Sequence, residues 1–330
     1  MNRKAQVEVS YNWIYVLVAG AVIFGFFITI IVQERDSTEQ RINERLADNF
    51  ENLVQLQLQQ SEGLTERHSR PGTSFQFFCD QTGHSFRIGD EGNLRYLETE
   101  PVFSVNNVGQ GNLITQNLAF KAPFYLSPLI LVSDSNTRYS FESGNDEIND
   151  LRLLLGNEFN KQEGFNDLGS FENEVVIVSA GNMETFEDVI KIEIDEIDSA
   201  GRDLALYRVR QDSNEFYLLN DELVLAAIVS GDLSTFDCAL QKVEEKSRLT
   251  LNLEINRSIN IGDRLDDAGR ETCATIYKAS GGMTELLQNL LGHVESLNKE
   301  KSDGENFLEI ASNIRLRNRE LTTNSCPLLY

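Results

Sequence analysis

From Trp13 to Val32 the chain carries about twenty residues without a charge. A helix of that length spans the roughly 30 Å hydrocarbon core of a bilayer, and a helix satisfies its own backbone there. The pattern therefore predicts one transmembrane helix, with the lipid bilayer as partner through residues 13–32. "QRINERLADNFENLVQLQLQQ" then continues without Gly or Pro, and Ile42, Leu46, Phe50, Leu53 and Leu56 recur at steps of three and four. This helical period with a narrow apolar stripe predicts a stem that packs on a partner helix or on the chain's own globular head, the head being the favoured partner. Pro71 and Gly72 in "RHSRPGTS" mark the start of that head.

The rhythm then changes. Phe75 and Phe77 alternate, and short apolar pieces separated by Gly, Asp and Asn predict a run of strands. Three continuous apolar runs follow, "LILVSDSN" (129–136), "VVIVSAGN" (175–182) and "LVLAAIVSGD" (223–232). Such runs read as strands buried on both faces, as in a parallel sheet. Between the first two, Ile148, Leu151, Leu155 and Phe159 make an amphipathic helix with Asn145 as its cap. After the third, Ser234 three residues before Asp237 looks like a capping box. "VIKIEIDEID" and "LALYRVRQ" alternate and would extend the sheet antiparallel at an edge.

From residue 236 the pattern is mainly helical, although "RLTLNLEIN" alternates like a strand. The expected fold class is mixed α/β. Its parts are a leader and membrane anchor (1–36), a helical stem (37–70), a β-rich opening of the head (71–142), an α/β part (143–235) and a helical C-terminal part (236–330).

Charge narrows the function classes. Of 330 residues, 52 are Asp or Glu and 29 Lys or Arg, a formal net charge of −23. Binding nucleic acid requires clustered cations, so nucleic acid is not an expected partner. The four cysteines, Cys79, Cys238, Cys273 and Cys326, show no CxxC spacing and no zinc-ribbon pattern. In an exported chain the even count implies two disulfides, with three connectivities open. The favoured one joins Cys238 to Cys273, tying neighbouring segments, and Cys79 to Cys326, fastening the C-terminal end.

Were the three runs parallel strands, a crevice at their carboxyl ends would gather Ser133, Asp134, Ser179, Asn182, Ser230 and Asp232. Asp134, Asn182 and Asp232 could hold a divalent cation or a polar ligand there. The competing account is local: strands end at turn residues and caps, and Ser, Asp and Asn are those residues. Glu193, Asp195, Glu196 and Asp198 read as the solvated face of a strand. His68, His84 and His293 are scattered, and no P-loop, dinucleotide fingerprint or hydrolase triad is present, so no cofactor and no catalytic residue is assigned. Asn256, in "NRS", is a candidate glycosylation acceptor.

The opening "RKAQVEVSYNW" resembles the class III leader of archaeal type IV pilin-like proteins: a basic pair, a small residue, a Gln, then a polar stretch and a long apolar helix. The resemblance covers about a tenth of the chain. It implies cleavage between Ala5 and Gln6 on the cytoplasmic side, retention of the apolar helix, and assembly with further copies or other pilin-like subunits. The bacterial pattern differs, since Ser10 stands at the fifth mature position and the nearest acid is Glu8. "LAAIVSGDLSTFDC" and "NSCPLLY" are similar to segments of single-pass membrane proteins of small-genome archaea.

Arg3 and Lys4 before the apolar stretch, and Glu34 and Asp36 after it, predict a cytoplasmic amino end and an extracytoplasmic head. The expected function is a membrane-anchored surface protein whose acidic head makes structural, adhesive or assembly contacts. The alternative is a tethered ligand-binding or enzymatic domain at the strand ends.

Overall fold

The computed structural model describes residues 3–59, 63–68, 73–80, 83–89, 92–97, 100–109, 111–165, 175–179, 190–199, 204–294 and 300–330. Helix α1 (Arg3–Gln59) runs unbroken for 57 residues. Every residue from Val16 to Ile31 is exposed, and the helix is apolar enough there to cross a membrane. Ala5 and Gln6 lie in its first turns.

Burial begins further along α1, at Asn43, Ala47, Phe50, Val54 and Gln57. The helical period is the one expected, but the buried stripe is rotated. Ile42 and Leu56 face out, and Leu46 and Leu53 flank the contact. Small and polar residues lie inside because the head approaches the helix closely and hydrogen-bonds to it. Gln57 donates to Glu66 and its carbonyl accepts from Asn117.

What receives the stem is a four-stranded antiparallel sheet in the order β4-β3-β2-β6. It comprises β2 (Phe75–Asp80), β3 (Gly83–Ile88), β4 (Arg95–Tyr96) and β6 (Asn107–Val108). Side chains alternate across a sheet. Phe75 and Phe77 of β2 and Phe86 of β3 accordingly meet Phe50 edge to face, with ring centroids 4.9 to 5.9 Å apart.

A second sheet, β1-β7-β8-β5, contains β1 (Thr65–His68), β5 (Val102–Ser104), β7 (Leu113–Lys121) and β8 (Tyr125–Asp134). Because β1 pairs with β7, the head's pairing starts ahead of Pro71. The third sheet has the order β10-β9-β11-β12-β13-β14. Its strands are β9 (Arg138–Phe141), β10 (Asn160–Glu163), β11 (Val175–Ser179), β12 (Ile190–Ser199), β13 (Ala205–Gln211) and β14 (Asn214–Leu219). Strands β10, β9, β11 and β12 are mutually parallel, and β13 and β14 extend the sheet antiparallel, as the alternating patterns predict. Helix α2 (Asp146–Leu154) is capped by the Asn145 side chain, which accepts from the Ile148 N–H.

The run at 223–232 departs from expectation: it is helix α3 (Asn220–Ser230), not a strand. Each residue from Leu223 to Ser230 is buried, and a helix apolar all round belongs in a core. Its helical signals are local. Asp221 and Glu222 sit in the first turn, and Gly231 closes the end in the left-handed region. Asn220 tolerates a positive φ, and its Oδ1 accepts from the Leu223 N–H.

Helix α4 (Leu233–Asp267) absorbs "RLTLNLEIN", followed by α5 (Glu271–Lys278), α6 (Met283–His293) and α7 (Lys301–Thr323). The N-cap of α4 is Asp232, whose carboxylate accepts from the Ser234 N–H, so the box expected at Ser234 and Asp237 lies two residues upstream. The molecule is thus mixed α/β, with parallel and antiparallel strands.

Candidate functional site

The strand-end crevice does not form, because its first two runs, β8 and β11, lie in different sheets and the third is α3. Gly231 at the end of α3 abuts Val176 and Ile190, the second residue of β11 and the first of β12. Asp232 is therefore at the amino ends of these strands, whereas Ser179 closes β11 at the opposite end. Asn182 lies outside the described residues.

Asp134 is 3 % exposed, and its carboxylate is committed to local structure. One oxygen accepts from the N–H groups of Asn136 and Thr137 at 2.7 Å, the other from Gly109 N–H at 2.6 Å. It staples the β8–β9 turn to the segment after β6. Asp232 accepts from the Ser234 hydroxyl, and the single proton of the Thr235 hydroxyl lies between Asp232 and Asn106. Burial alone would raise the Asp232 pKa, yet these hydrogen bonds together hold it below its ordinary value. Neither carboxylate is presented to a cation. Asp134→Ala is expected to destabilise the head by about 1–3 kcal/mol, through donors left without an acceptor. A urea melt would show this, and an unchanged midpoint would mean that the turn holds without the staple.

Glu193 and Asp195 share one strand face, as expected, but the face is ion-paired across β13. Glu193 meets Arg210 at 3.1 Å and Lys191 at 2.9 Å, and Asp195 meets Arg208 and Arg210. Glu196 points the other way, into a cleft of about 610 Å³. That cleft is lined by the acids Glu147, Asp150, Glu196, Asp221 and Glu222, against Lys121 and Arg315. Burial, then Glu196 and Asp195, raise the Glu147 pKa. Tyr207 donates its hydroxyl to Asp221; burial and that bond push its phenol far above the usual range, so it stays protonated and is no general base.

Three of these acids also have a local reason to be where they are. Glu147, Asp221 and Glu222 occupy first helical turns, where a carboxylate favours the helix dipole. Among the described residues no three His, Cys, Asp or Glu side chains are grouped to hold a metal ion. Sequence reading missed this cleft because its lining comes from separate segments scattered between Lys121 and Arg315, with no shared motif.

The disulfides correct the expected pairing: Cys79 bonds Cys238, and Cys273 bonds Cys326. Cys238 and Cys273 do not meet: α4 runs unbroken from Cys238 to Asp267, roughly 40 Å at 1.5 Å per residue, before the chain turns into α5. Cys79 finds Cys238 because the β2–β3 hairpin packs on the start of α4, and the C-terminal segment returns to α5. Asn256 is exposed on α4, but Ser258 is buried and shares its hydroxyl with Thr284 at 2.7 Å. The folded head therefore presents the asparagine without the hydroxyl that defines its acceptor motif.

No family model, curated protein or solved structure matches the chain. The functional reading rests on its own geometry, whose most distinctive part is the exposed apolar half of α1.

Proposed function

We propose that the chain is a single-pass membrane protein, pilin-like at its amino end, that displays an acidic extracytoplasmic head for structural, adhesive or assembly contacts. The observation that carries this reading is the division of α1. Sixteen consecutive residues, Val16 to Ile31, are all exposed and uncharged, and the same helix then buries Phe50 and Val54 in the head. A core helix would bury that first stretch; a bilayer is the solvent that suits it. Arg3 and Lys4 on its short side support a cytoplasmic amino end. Two disulfides suit a head on the oxidising side. The rival reading, a tethered binding or enzymatic domain, loses its strand-end crevice, and the acidic cleft is its remaining place.

Intact-mass analysis and N-terminal sequencing of the protein from native membranes test the proposal. The expected mature chain begins at Gln6 and partitions with membranes. A start at Met1 or Asn2 would overturn the pilin-type leader and leave a plain signal anchor. A start beyond Val32 would overturn the anchor itself.

A further inference from the structure

The inner face of the stem-binding sheet continues past the aromatic cluster. Phe75, Phe77 and Cys79 of β2 stand opposite Ile88, Phe86 and His84 of β3. At one end this face grips Phe50 of the stem; at the other, Cys79 is bonded to Cys238 of α4. His84 lies in that second seam, 1 % exposed, and neither ring nitrogen has a hydrogen-bond partner among the described residues. Its ring centroid is 6.0 Å from that of Phe77, which is itself 5.9 Å from Phe50. A buried polar group without a partner is costly, and a buried unpaired charge more so.

We propose that His84 makes the head's hold on the stem acid-labile: protonation of this ring opens the seam between the β2–β3 hairpin and α4 and loosens the aromatic layer around Phe50. The Cys79–Cys238 bond keeps the opened hairpin attached, so the change is reversible.

From α4, Lys242, one turn beyond Cys238, opposes a second cation, and is itself ion-paired with Glu245 at 3.5 Å. From β2, Phe77 and the bonded Cys79 do not titrate. Beside β4, Leu97 offers only its N–H, which donates to the His84 carbonyl. Burial, and then Lys242, push the imidazole down to about 4. On the stem side, Asp48 and Glu51 pair with Arg95 of β4. An opened His84 regains an ordinary pKa of about 6.5.

The sign follows from linkage. The closed seam is fully stable above about pH 6.5 and weakens as pH falls from there toward 4, because the open form binds the proton more tightly. Between pH 7.5 and 5 the open fraction is expected to rise about thirtyfold. The inference holds whichever leader reading is correct, since it concerns the head–stem seam alone.

Hydrogen exchange of the full chain in detergent, corrected for the intrinsic pH dependence of exchange, reads the opening of β2, β3 and residues 43–57. The expected result is that thirtyfold rise in the wild type, its loss in His84→Phe, and its retention in His68→Asn. An undiminished rise in His84→Phe would overturn the proposal. Should that variant not fold, the wild type alone decides through the ring NMR signals of its three histidines. A His84 signal titrating near 6.5 in the closed chain overturns the proposal; one displaced well below that sustains it.

Discussion

Replacing Phe50 by alanine is expected to cost about 3–5 kcal/mol and to free the stem from the head. Phe50 is 2 % exposed and meets three phenylalanine rings edge to face, the closest, Phe86, at 4.9 Å. Its truncation therefore loses the buried ring and the aromatic contacts, and leaves a cavity that a rigid helix against a sheet fills poorly. Ala47 and Val54, one turn to either side, are too small to hold the interface alone. Chemical unfolding of the full chain in detergent measures the loss, and limited proteolysis shows whether the stem is released first. Leu56→Ala is the control, because Leu56 is 58 % exposed and its truncation is expected to stay within about 0.5 kcal/mol. A Phe50→Ala loss below about 1 kcal/mol would mean that the stem is a tether and not part of the fold.

The stem also shows what the sequence could and could not reveal. Its helical period was legible from Ile42 to Leu56, yet its inward face was not. Choosing the largest apolar residues selects Ile42 and Leu56, and the structure instead buries Asn43, Ala47 and Gln57. Size misleads where a partner comes close and brings hydrogen bonds, as Asn117 and Glu66 do at Gln57.

The strands from Ile190 to Gln211 were readable from their alternation, whereas the alternation of "RLTLNLEIN" misled, because its flanks are helical and α4 carries it. The run at 223–232 was not readable, because a short, wholly apolar stretch fits a buried strand and a buried helix equally. There the deciding signals lay at the edges of the apolar stretch, in Asp221 and Glu222 before it and in the closing Gly231. The candidate site failed because that run is helical and because β8 and β11 belong to different sheets. Asp134 and Asp232 are a turn staple and a helix cap, which is the local account of those residues.

The disulfides should differ in what they hold. Loss of Cys79–Cys238, as the paired Cys79→Ser and Cys238→Ser change, is expected to cost about 5 kcal/mol by the chain-entropy relation; the Cys273–Cys326 pair is expected to cost about 4. The ordering follows from the loops closed, with sequence separations of 159 and 53 residues. Local contacts widen the gap. The C-terminal segment is also held by Arg270 donating to the Ser325 carbonyl and by Tyr277 donating to the Pro327 carbonyl. The β2–β3 hairpin meets α4 over a seam that contains His84, whose ring nitrogens have no hydrogen-bond partner among the described residues. Non-reducing peptide mapping fixes the connectivity, and urea midpoints of the two double variants fix the order. A Cys238–Cys273 peptide would contradict the unbroken run of α4 from Cys238 to Asp267. A smaller loss for the Cys79–Cys238 pair than for the other would show that the hairpin stays on α4 through packing alone. In the expected case the bond links stem-binding sheet to α4, so breaking it should also speed exchange at residues 43–57, far from either cysteine in sequence.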